Sequence, residues 1–323
     1  MKLRQVEFYS KGLPERLVPL RKAGYAFVGG KKQAAVKICY WTRKSIKGEG
    51  KCYKQAYGIN SSQCVQMTPD AEYCNNNCIY CWREVKRFKK SMTDYEDIDL
   101  IVEESVKAQK YLLQGLKGSK YVIKERWVES QNPKHFTLSL MGEPTLYPLL
   151  PELVDKINKN YSSFVVSNGL QPEMIERLSS IQPTQLYLSF NAWNAESFAF
   201  VSNNKTPYAW NSFLKSASLL ENFKRSVFRM TLANDLNLKN PEKFSEIIEK
   251  FQPGFVEVKA WFPLGSSRTR MKASQEPSLE EIKNFANQIE KNTSFEKVFV
   301  HEPSKVVILS RNDMKGRLKF KSD

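Results

Sequence analysis

Three cysteines lie close together in the first third of the chain, in the stretch Cys74-Asn-Asn-Asn-Cys78-Ile-Tyr-Cys81. Three thiolates on one loop can hold three irons of a [4Fe–4S] cluster and leave the fourth iron without a protein ligand. A structural zinc site normally has four protein ligands, so zinc is the weaker alternative. The spacing therefore predicts an iron–sulfur centre with one open iron, which is a site for chemistry.

The other three cysteines of the chain are Cys39, Cys52 and Cys64. They are too far apart in sequence to form one metal-binding loop, but folding could gather them into a second three-ligand cluster. Structural disulfides are uncommon in the intracellular setting that we expect for this chain. Buried cysteines that act only as small apolar side chains are the alternative.

Strand-type segments alternate with segments of helical period from residue 64 onward, which predicts about six βα units. Such an array forms a parallel sheet curled into a partial (βα)6 barrel, with functional groups at the carboxyl ends of the strands.

Three segments of the chain are expected. The first is an extension over residues 1–63, which carries cysteines and packs across the barrel mouth. The second is the partial barrel over 64–262, and the third consists of closing elements over 263–323. The predicted strands lie near residues 64–68, 135–140, 163–167, 185–190, 226–232 and 254–260, and the predicted helices near 97–116, 172–180, 208–223, 241–251 and 279–291.

Polar and turn-forming residues follow several of the predicted strands. Gly142-Glu143-Pro144 follows the second strand, and two polar pairs follow the next two strands. These pairs are Ser167 with Asn168 and Ser189 with Asn191. Since the carboxyl ends of parallel strands share one edge of a sheet, these residues are candidate ligand contacts, with ordinary turn chemistry as the alternative.

The CxxxCxxC loop followed by Gly142-Glu143-Pro144 resembles the radical S-adenosylmethionine (SAM) superfamily. The resemblance implies that the open iron binds the amino and carboxylate groups of SAM, which is cleaved to a 5′-deoxyadenosyl radical. It also implies that Gly142, Glu143 and Pro144 line the methionine end of SAM. The polar residues after the third and fourth strands would then meet its carboxylate or ribose.

Within that superfamily the chain closely resembles the archaeal-type tRNA 4-demethylwyosine synthases. The resemblance covers nearly all of the chain and is carried by residues 36–42, 52–54, 57–59, 64–69, 78–83, 132–135, 139–148, 185–189, 255–260 and 267–270. It implies condensation of 1-methylguanosine, beside the anticodon of tRNA-Phe, with pyruvate to give 4-demethylwyosine. It further implies a second [4Fe–4S] cluster on Cys39, Cys52 and Cys64, and an imine between Lys54 and pyruvate. A phosphate contact or a solvated charge is the alternative role for Lys54.

A few positions depart from the family pattern: Ala56 replaces an aromatic residue, Ser62-Gln63 replaces His-Arg, and Asn191 replaces an Asp. None of these changes removes a cysteine. They bear on details of substrate or cofactor contact.

The chain is strongly basic, with a formal net charge of +16, which favours a polyanionic partner such as RNA. Residues 86–90 (Lys-Arg-Phe-Lys-Lys) and 268–272 are predicted phosphate contacts, with solvated charge as the alternative. The sequence shows neither a segment apolar enough to cross a bilayer nor a secretory signal, so we expect a cytoplasmic monomer. No flavodoxin-like domain is recognisable, so an external flavodoxin- or ferredoxin-like electron donor is expected.

Two other functions remain open at the level of sequence. One is a radical SAM enzyme that acts on a peptide or a small metabolite, against which the basic charge and the second cysteine set argue. The other is a zinc-dependent RNA-binding protein without catalysis, which would be colourless.

Overall fold

The computed structural model describes residues 12–84 and 95–320. Strands and helices alternate as the sequence predicts. The strands of the described residues are β1 (Ala26–Val28), β2 (Ala34–Val36), β3 (Cys64–Thr68), β4 (His135–Leu138), β5 (Ser162–Ser167), β6 (Gln185–Ser189), β7 (Ser226–Leu232), β8 (Phe255–Ala260), β9 (Phe295–His301) and β10 (Val306–Arg311). The α-helices there are α1 (Val18–Lys22), α2 (Tyr40–Ile46), α3 (Ile98–Leu113), α4 (Lys124–Ser130), α5 (Leu150–Asn158), α6 (Pro172–Ile181), α7 (Ala195–Ser202), α8 (Ala209–Ser218), α9 (Pro241–Phe251) and α10 (Leu279–Asn292).

The described residues form two compact units. The first unit comprises residues 12–73 and 95–165, and the second comprises residues 74–84 and 166–320. This division cuts across the three segments that the sequence suggests, which stay a prediction. None of the described helices is long and apolar enough to cross a lipid bilayer.

In the first unit, β3, β4 and β5 pair in parallel, and β1 and β2 extend the sheet beyond β3 in antiparallel orientation. The register places Val36 opposite Met67 and Ala35 opposite Thr68. This part of the N-terminal extension therefore adds strands to the sheet edge, where the sequence suggested packing across a barrel mouth. Its two strands have only three residues each, and all six side chains are apolar and buried.

In the second unit, β6, β7 and β8 pair in parallel, β10 runs antiparallel to β8, and β9 lies outermost. The two last strands lie within residues 263–323, for which the sequence predicts closing elements. Helix α10 begins at a capping box, in which the Ser278 hydroxyl accepts a hydrogen bond from the Glu281 amide and the Glu281 carboxylate accepts one from the Ser278 amide.

A cluster of aromatic rings holds helices α8, α9 and α10 on this sheet. The Phe190 ring lies 4.7 Å from Phe228 and 5.0 Å from Phe244, measured between centroids, and Phe244 contacts Phe285 of α10 at 5.7 Å. Buried aromatic pairs contribute both apolar area and geometric preference to the core. Because Phe190 follows β6 directly, the cluster also fixes the polar residues at the end of that strand.

Candidate active site

The cysteine loop of the second unit surrounds Tyr80. Burial raises the pKa of Tyr80 well above its ordinary value, and the neighbouring thiols of Cys78, Cys81 and Cys74 raise it further. The Tyr80 hydroxyl accepts a hydrogen bond from Asn191 at 2.6 Å, and its carbonyl accepts one from the Trp261 indole at 3.0 Å. The three thiols are therefore arranged about one buried and firmly held phenol.

The asparagines between Cys74 and Cys78 fix the loop to its neighbours. Asn168 donates to the side-chain oxygen of Asn75 at 2.6 Å, and Asn204 donates to the side-chain oxygen of Asn76 at 2.7 Å. The Asn77 amide donates to the carbonyl of Ser202 at 3.0 Å. Sequence reasoning missed these roles, although three consecutive asparagines between metal ligands were a visible signal.

Arg270 also binds this loop. Its guanidinium donates to the carbonyl of Ile79 at 3.0 Å and to the carbonyl of Cys81. Burial raises the pKa of the Cys81 thiol, and the charges of Arg83 and Arg270 act in the opposite direction. Within the predicted phosphate contact at 268–272, Arg270 thus serves the cysteine loop, whereas Arg268 and Lys272 are exposed. The other predicted contact, residues 86–90, lies outside the described residues.

Four of the predicted site residues of the second unit line one small cavity with a volume of about 20 Å³. They are Cys78, Asn168, Ser189 and Asn191. Asn191 is held from two sides, because its side-chain oxygen also accepts a hydrogen bond from the Thr231 amide at 2.6 Å. Ser167 has a different contact: its buried hydroxyl accepts from the Gly169 amide at 3.0 Å, which is turn chemistry.

The Gly142-Glu143-Pro144 turn of the first unit packs against the backbone at Tyr73, the residue before Cys74 in sequence. The Glu143 amide donates to the Tyr73 carbonyl at 2.8 Å, and the Glu143 carboxylate accepts from the Thr145 amide and hydroxyl. Gly142 has a φ of +73°, and a Cβ there would lie 2.6 Å from the Tyr73 carbonyl oxygen. The turn therefore requires glycine at this position.

The second cysteine set is gathered by the fold of the first unit. Burial raises the pKa of Cys52 to about 12 and that of Cys64 to about 11. The thiol of Cys39 is the next largest cause in both cases, and Lys54 opposes the rise in both. None of the six cysteines forms a disulfide bond. Cys39, Cys52, Cys64 and Lys54 are therefore near neighbours although their sequence positions span 26 residues.

The thiols do not converge on a point. In residues 12–84 and 95–320, no group of three or more His, Cys, Asp or Glu side chains is arranged to hold a single metal ion. A cubic iron–sulfur cluster is bound at separate corners by one thiolate each, so its cysteines surround it. The donor chemistry of both sets, three thiols each, fits such a cluster.

Lys54 is buried, with only 6% of its surface exposed, in the short 3-10 helix that follows Cys52. Its Nζ lies 5.7 Å from the centre of the Phe164 ring. His135 packs edge-on against the same ring at 6.5 Å. The His135 Nε2 accepts a hydrogen bond from the Asn60 amide at 3.1 Å, so this histidine anchors the loop between Lys54 and Cys64.

The positions that depart from the family pattern make internal hydrogen bonds. The Ser62 hydroxyl donates to the Glu129 carboxylate at 2.6 Å, and Gln63 donates to the carbonyl of Asn132 at 2.7 Å. Asn191 donates to Tyr80, which an ionised aspartate could not do. Ala56 is the exception, because it is buried and has no polar side-chain group.

Replacement of Gly142 by alanine is expected to destabilise the protein by about 3 kcal/mol, because the new Cβ would clash with two carbonyl oxygens in a left-handed backbone conformation. The measurement is chemical denaturation. Gly115→Ala is the matched control, since nothing lies within 4 Å of its added Cβ, and it should change stability by less than about 1 kcal/mol. Equal denaturation midpoints for Gly142→Ala and Gly115→Ala would contradict the predicted clash.

His135 gives the protein a specific pH dependence. Burial, followed by the charge of Lys134, lowers the pKa of His135 to about 4 from an ordinary value of 6.5. The unfolded state therefore takes up a proton first, and stability should be complete above pH 6.5 and fall by about 3 kcal/mol as the pH drops to 4. A His135→Asn variant should lose less stability over this interval in denaturation measured against pH. If the free energy of unfolding depends on pH in the same way for the parent and the variant, His135 is not the origin of the loss.

Two family models match the chain. The model described as "Radical SAM superfamily" matches residues 69–248, which is more than half of the chain, and the model described as "Wyosine base formation" matches residues 250–311. Together they cover the strands from β4 to β10.

Two archaeal proteins that are similar to this chain carry the same name. The S-adenosyl-L-methionine-dependent tRNA 4-demethylwyosine synthase of Pyrococcus abyssi is 38% identical over 94% of this chain and 90% of its own length. The protein of that name from Methanocaldococcus jannaschii is 34% identical over 94% of this chain and 98% of its own length. A solved structure of TYW1 with a lysine-pyruvate adduct bound superposes with a TM-score of 0.86 at 32% identity, covering 95% of this chain and 99% of that one.

The predicted fold class, a partial barrel of the radical SAM type, is confirmed by these matches. Radical SAM enzymes use SAM and a [4Fe–4S] cluster, and the three thiols of the CxxxCxxC loop, none of them in a disulfide, fit that requirement. The two alternative functions, a catalytically inactive zinc protein and a radical SAM enzyme on an unrelated substrate, do not agree with the family matches. The chain belongs to the tRNA 4-demethylwyosine synthase family of radical SAM enzymes.

Proposed function

We propose that this protein condenses 1-methylguanosine, beside the anticodon of tRNA-Phe, with pyruvate to form 4-demethylwyosine. The observation that carries the proposal is the burial of Lys54 among the thiols of Cys39, Cys52 and Cys64. A similar TYW1 structure is described as holding a lysine-pyruvate adduct, which supports a lysine as the pyruvate-binding group.

Cys74, Cys78 and Cys81 bind the [4Fe–4S] cluster that SAM joins. When bound, these cofactors supply a carbon radical that can remove a hydrogen atom from an unreactive N-methyl group. Asn168, Ser189 and Asn191 provide the polar wall of the cavity beside Cys78 for the carboxylate or ribose of SAM, and Ser167 shapes the turn at that wall. Gly142, Glu143 and Pro144 provide the contact to the methionine end.

Cys39, Cys52 and Cys64 bind a second [4Fe–4S] cluster. The thiols of Cys52 and Cys64 are both influenced electrostatically by Cys39, which supports a shared ligand. The raised pKa of Cys52 and Cys64 means that both thiols are neutral before a metal binds. Cluster binding therefore releases their protons.

Lys54 holds pyruvate as an imine. Its amine attacks the keto carbon of pyruvate, a carbon–nitrogen double bond forms, and one water molecule leaves. Burial of Lys54 excludes the water that would reverse this step, and the Phe164 ring below it limits where the bound pyruvate can lie.

The remaining parts of the proposal concern partners. A separate flavodoxin- or ferredoxin-like protein delivers the electron, and the enzyme works as a cytoplasmic monomer. The high net charge supports RNA as the large substrate.

The central test is mass analysis of tRNA-Phe carrying 1-methylguanosine after anaerobic incubation with the reconstituted enzyme, SAM and labelled pyruvate. The parent should add two labelled carbons to the base, whereas Lys54→Ala should cleave SAM but form no tricyclic base. Reduction with borohydride should attach labelled pyruvate to the parent peptide that contains Lys54.

The matched control is Lys51→Ala, because Lys51 is close in sequence and exposed. This variant should still form the tricyclic base. Normal product from Lys54→Ala would remove Lys54 from the mechanism, and no product from the parent would remove the function.

Iron content tests the second cluster. Two cubic clusters require about eight irons per chain, so Cys52→Ala should keep about four and still cleave SAM. Cys78→Ala should also keep about four but lose SAM cleavage. Iron analysis and the visible spectrum measure the content. A parent protein with about four irons, or with zinc at either set, would contradict the proposed cofactors.

A further inference from the structure

A second cleft of the second unit lies outside the residues to which a role has been given. It has a volume of about 330 Å³ and is bounded by the loop after β6, helix α7, and the segment from β7 to the start of α9. It therefore opens at the carboxyl ends of β6 and β7, the edge at which this kind of fold carries functional groups.

Two aromatic side chains form walls of the cleft. Trp193 is half-buried and packs against Phe244 of the core at 5.6 Å between ring centroids, so its ring is held in place. Phe200, on α7, has 60% of its surface exposed. Two aromatic rings that line one cleft, one fixed and one exposed, suit a flat ligand. Nucleobases stack on aromatic side chains irrespective of the identity of the base.

The charge of the cleft is positive. The Lys239 Nζ lies 5.7 Å from the centre of the Trp193 ring, and Lys243 is exposed in the first turn of α9. Glu196 is the acidic residue among those that line the cleft. Two ammonium groups beside an aromatic wall match a nucleotide, whose base is flat and whose phosphate is anionic.

The cleft lies next to the candidate active site. Val201 lines both cavities, and Asn191 and Trp193 belong to the same loop. A base that leaves its stack to react brings its neighbouring nucleotides close to the reaction cavity. Phosphates and unpaired bases of the same RNA strand are thus the groups available to fill the adjoining cleft.

We propose that this cleft binds one unpaired nucleotide of the RNA substrate next to the reacting base. Its base stacks between Trp193 and Phe200, and its phosphate lies against Lys239 and Lys243. The proposal rests on the proposed tRNA substrate and adds the residues that position it.

The test is the affinity of the reconstituted full-length enzyme for labelled tRNA-Phe carrying 1-methylguanosine, measured by fluorescence anisotropy at several salt concentrations. Phe200→Ala should weaken binding about tenfold, which is the loss of one stacked base. Lys239→Glu and Lys243→Glu should each weaken binding and reduce the salt dependence by about one ion. SAM cleavage without tRNA should remain at the parent rate in all three.

Matched controls lie elsewhere on the surface. Lys250→Glu makes the same charge change at an exposed position farther along α9, and Tyr121→Ala removes an exposed ring of the first unit. Both should bind tRNA nearly as the parent does. If Lys250→Glu weakens tRNA binding as much as Lys239→Glu does, the cleft is not the nucleotide site. The same conclusion follows if Phe200→Ala binds tRNA with the affinity of the parent.

An RNA variant separates this proposal from the proposed function. A tRNA that lacks the stacked base should bind the parent and Phe200→Ala equally, whereas tRNAs that lack other loop bases should keep the difference. If every abasic tRNA keeps the difference, the stacking is refuted even where the enzyme makes 4-demethylwyosine. If the difference vanishes for one abasic position while no product forms, the cleft is a nucleotide site and the proposed reaction is wrong.

Discussion

The hydrogen bonds that hold the Cys74–Cys81 loop are the constraint on which the candidate active site depends. Three thiols bind one cluster at a lower entropic cost when the loop that carries them keeps its shape without the cluster. Here side-chain amides, backbone amides and the guanidinium of Arg270 hold the loop between its cysteines. Since each of these bonds is directed, the loop is arranged before the metal binds, which lowers the entropy that binding must overcome.

The two cysteine sets are supported in different ways. The CxxxCxxC set depends on hydrogen bonds to one short loop, whereas the other set depends on burial and on the pairing of strands. Burial makes the apo form of Cys52 and Cys64 neutral, so no unpaired thiolate has to be stabilised in the interior. Lys54 opposes the pKa rise in both, and so it is electrostatically coupled to the set it adjoins.

Most elements of the sheet could be predicted from the sequence because their signals are local. Helix α9 matches the predicted bounds, and the capping box at Ser278 marks the start of α10. Strands β1 and β2 were missed, since a run of only three apolar residues carries no period that distinguishes a strand. Helix α7 was also missed, although it lines both cavities.

The candidate site, too, could be predicted from the sequence only in part. The spacing of Cys74, Cys78 and Cys81 can be read directly because all three lie on one loop. The partners of that loop, such as Asn204 and Arg270, are more than a hundred residues away in sequence and only folding brings them near. Arg270 in particular was predicted to meet phosphate, and a run of basic residues gives no sign that one of them faces the protein.

The edge strands of the first unit have a consequence for how such an enzyme can arise. Cys39 comes three residues after β2, which pairs with β3, and Cys64 is the first residue of β3. Two cysteines of the second set are thus brought near each other by ordinary backbone pairing beside the parallel strands. A βα sheet can therefore gain a set of neighbouring thiols from a segment that pairs at its edge, with its βα repeats left unaltered.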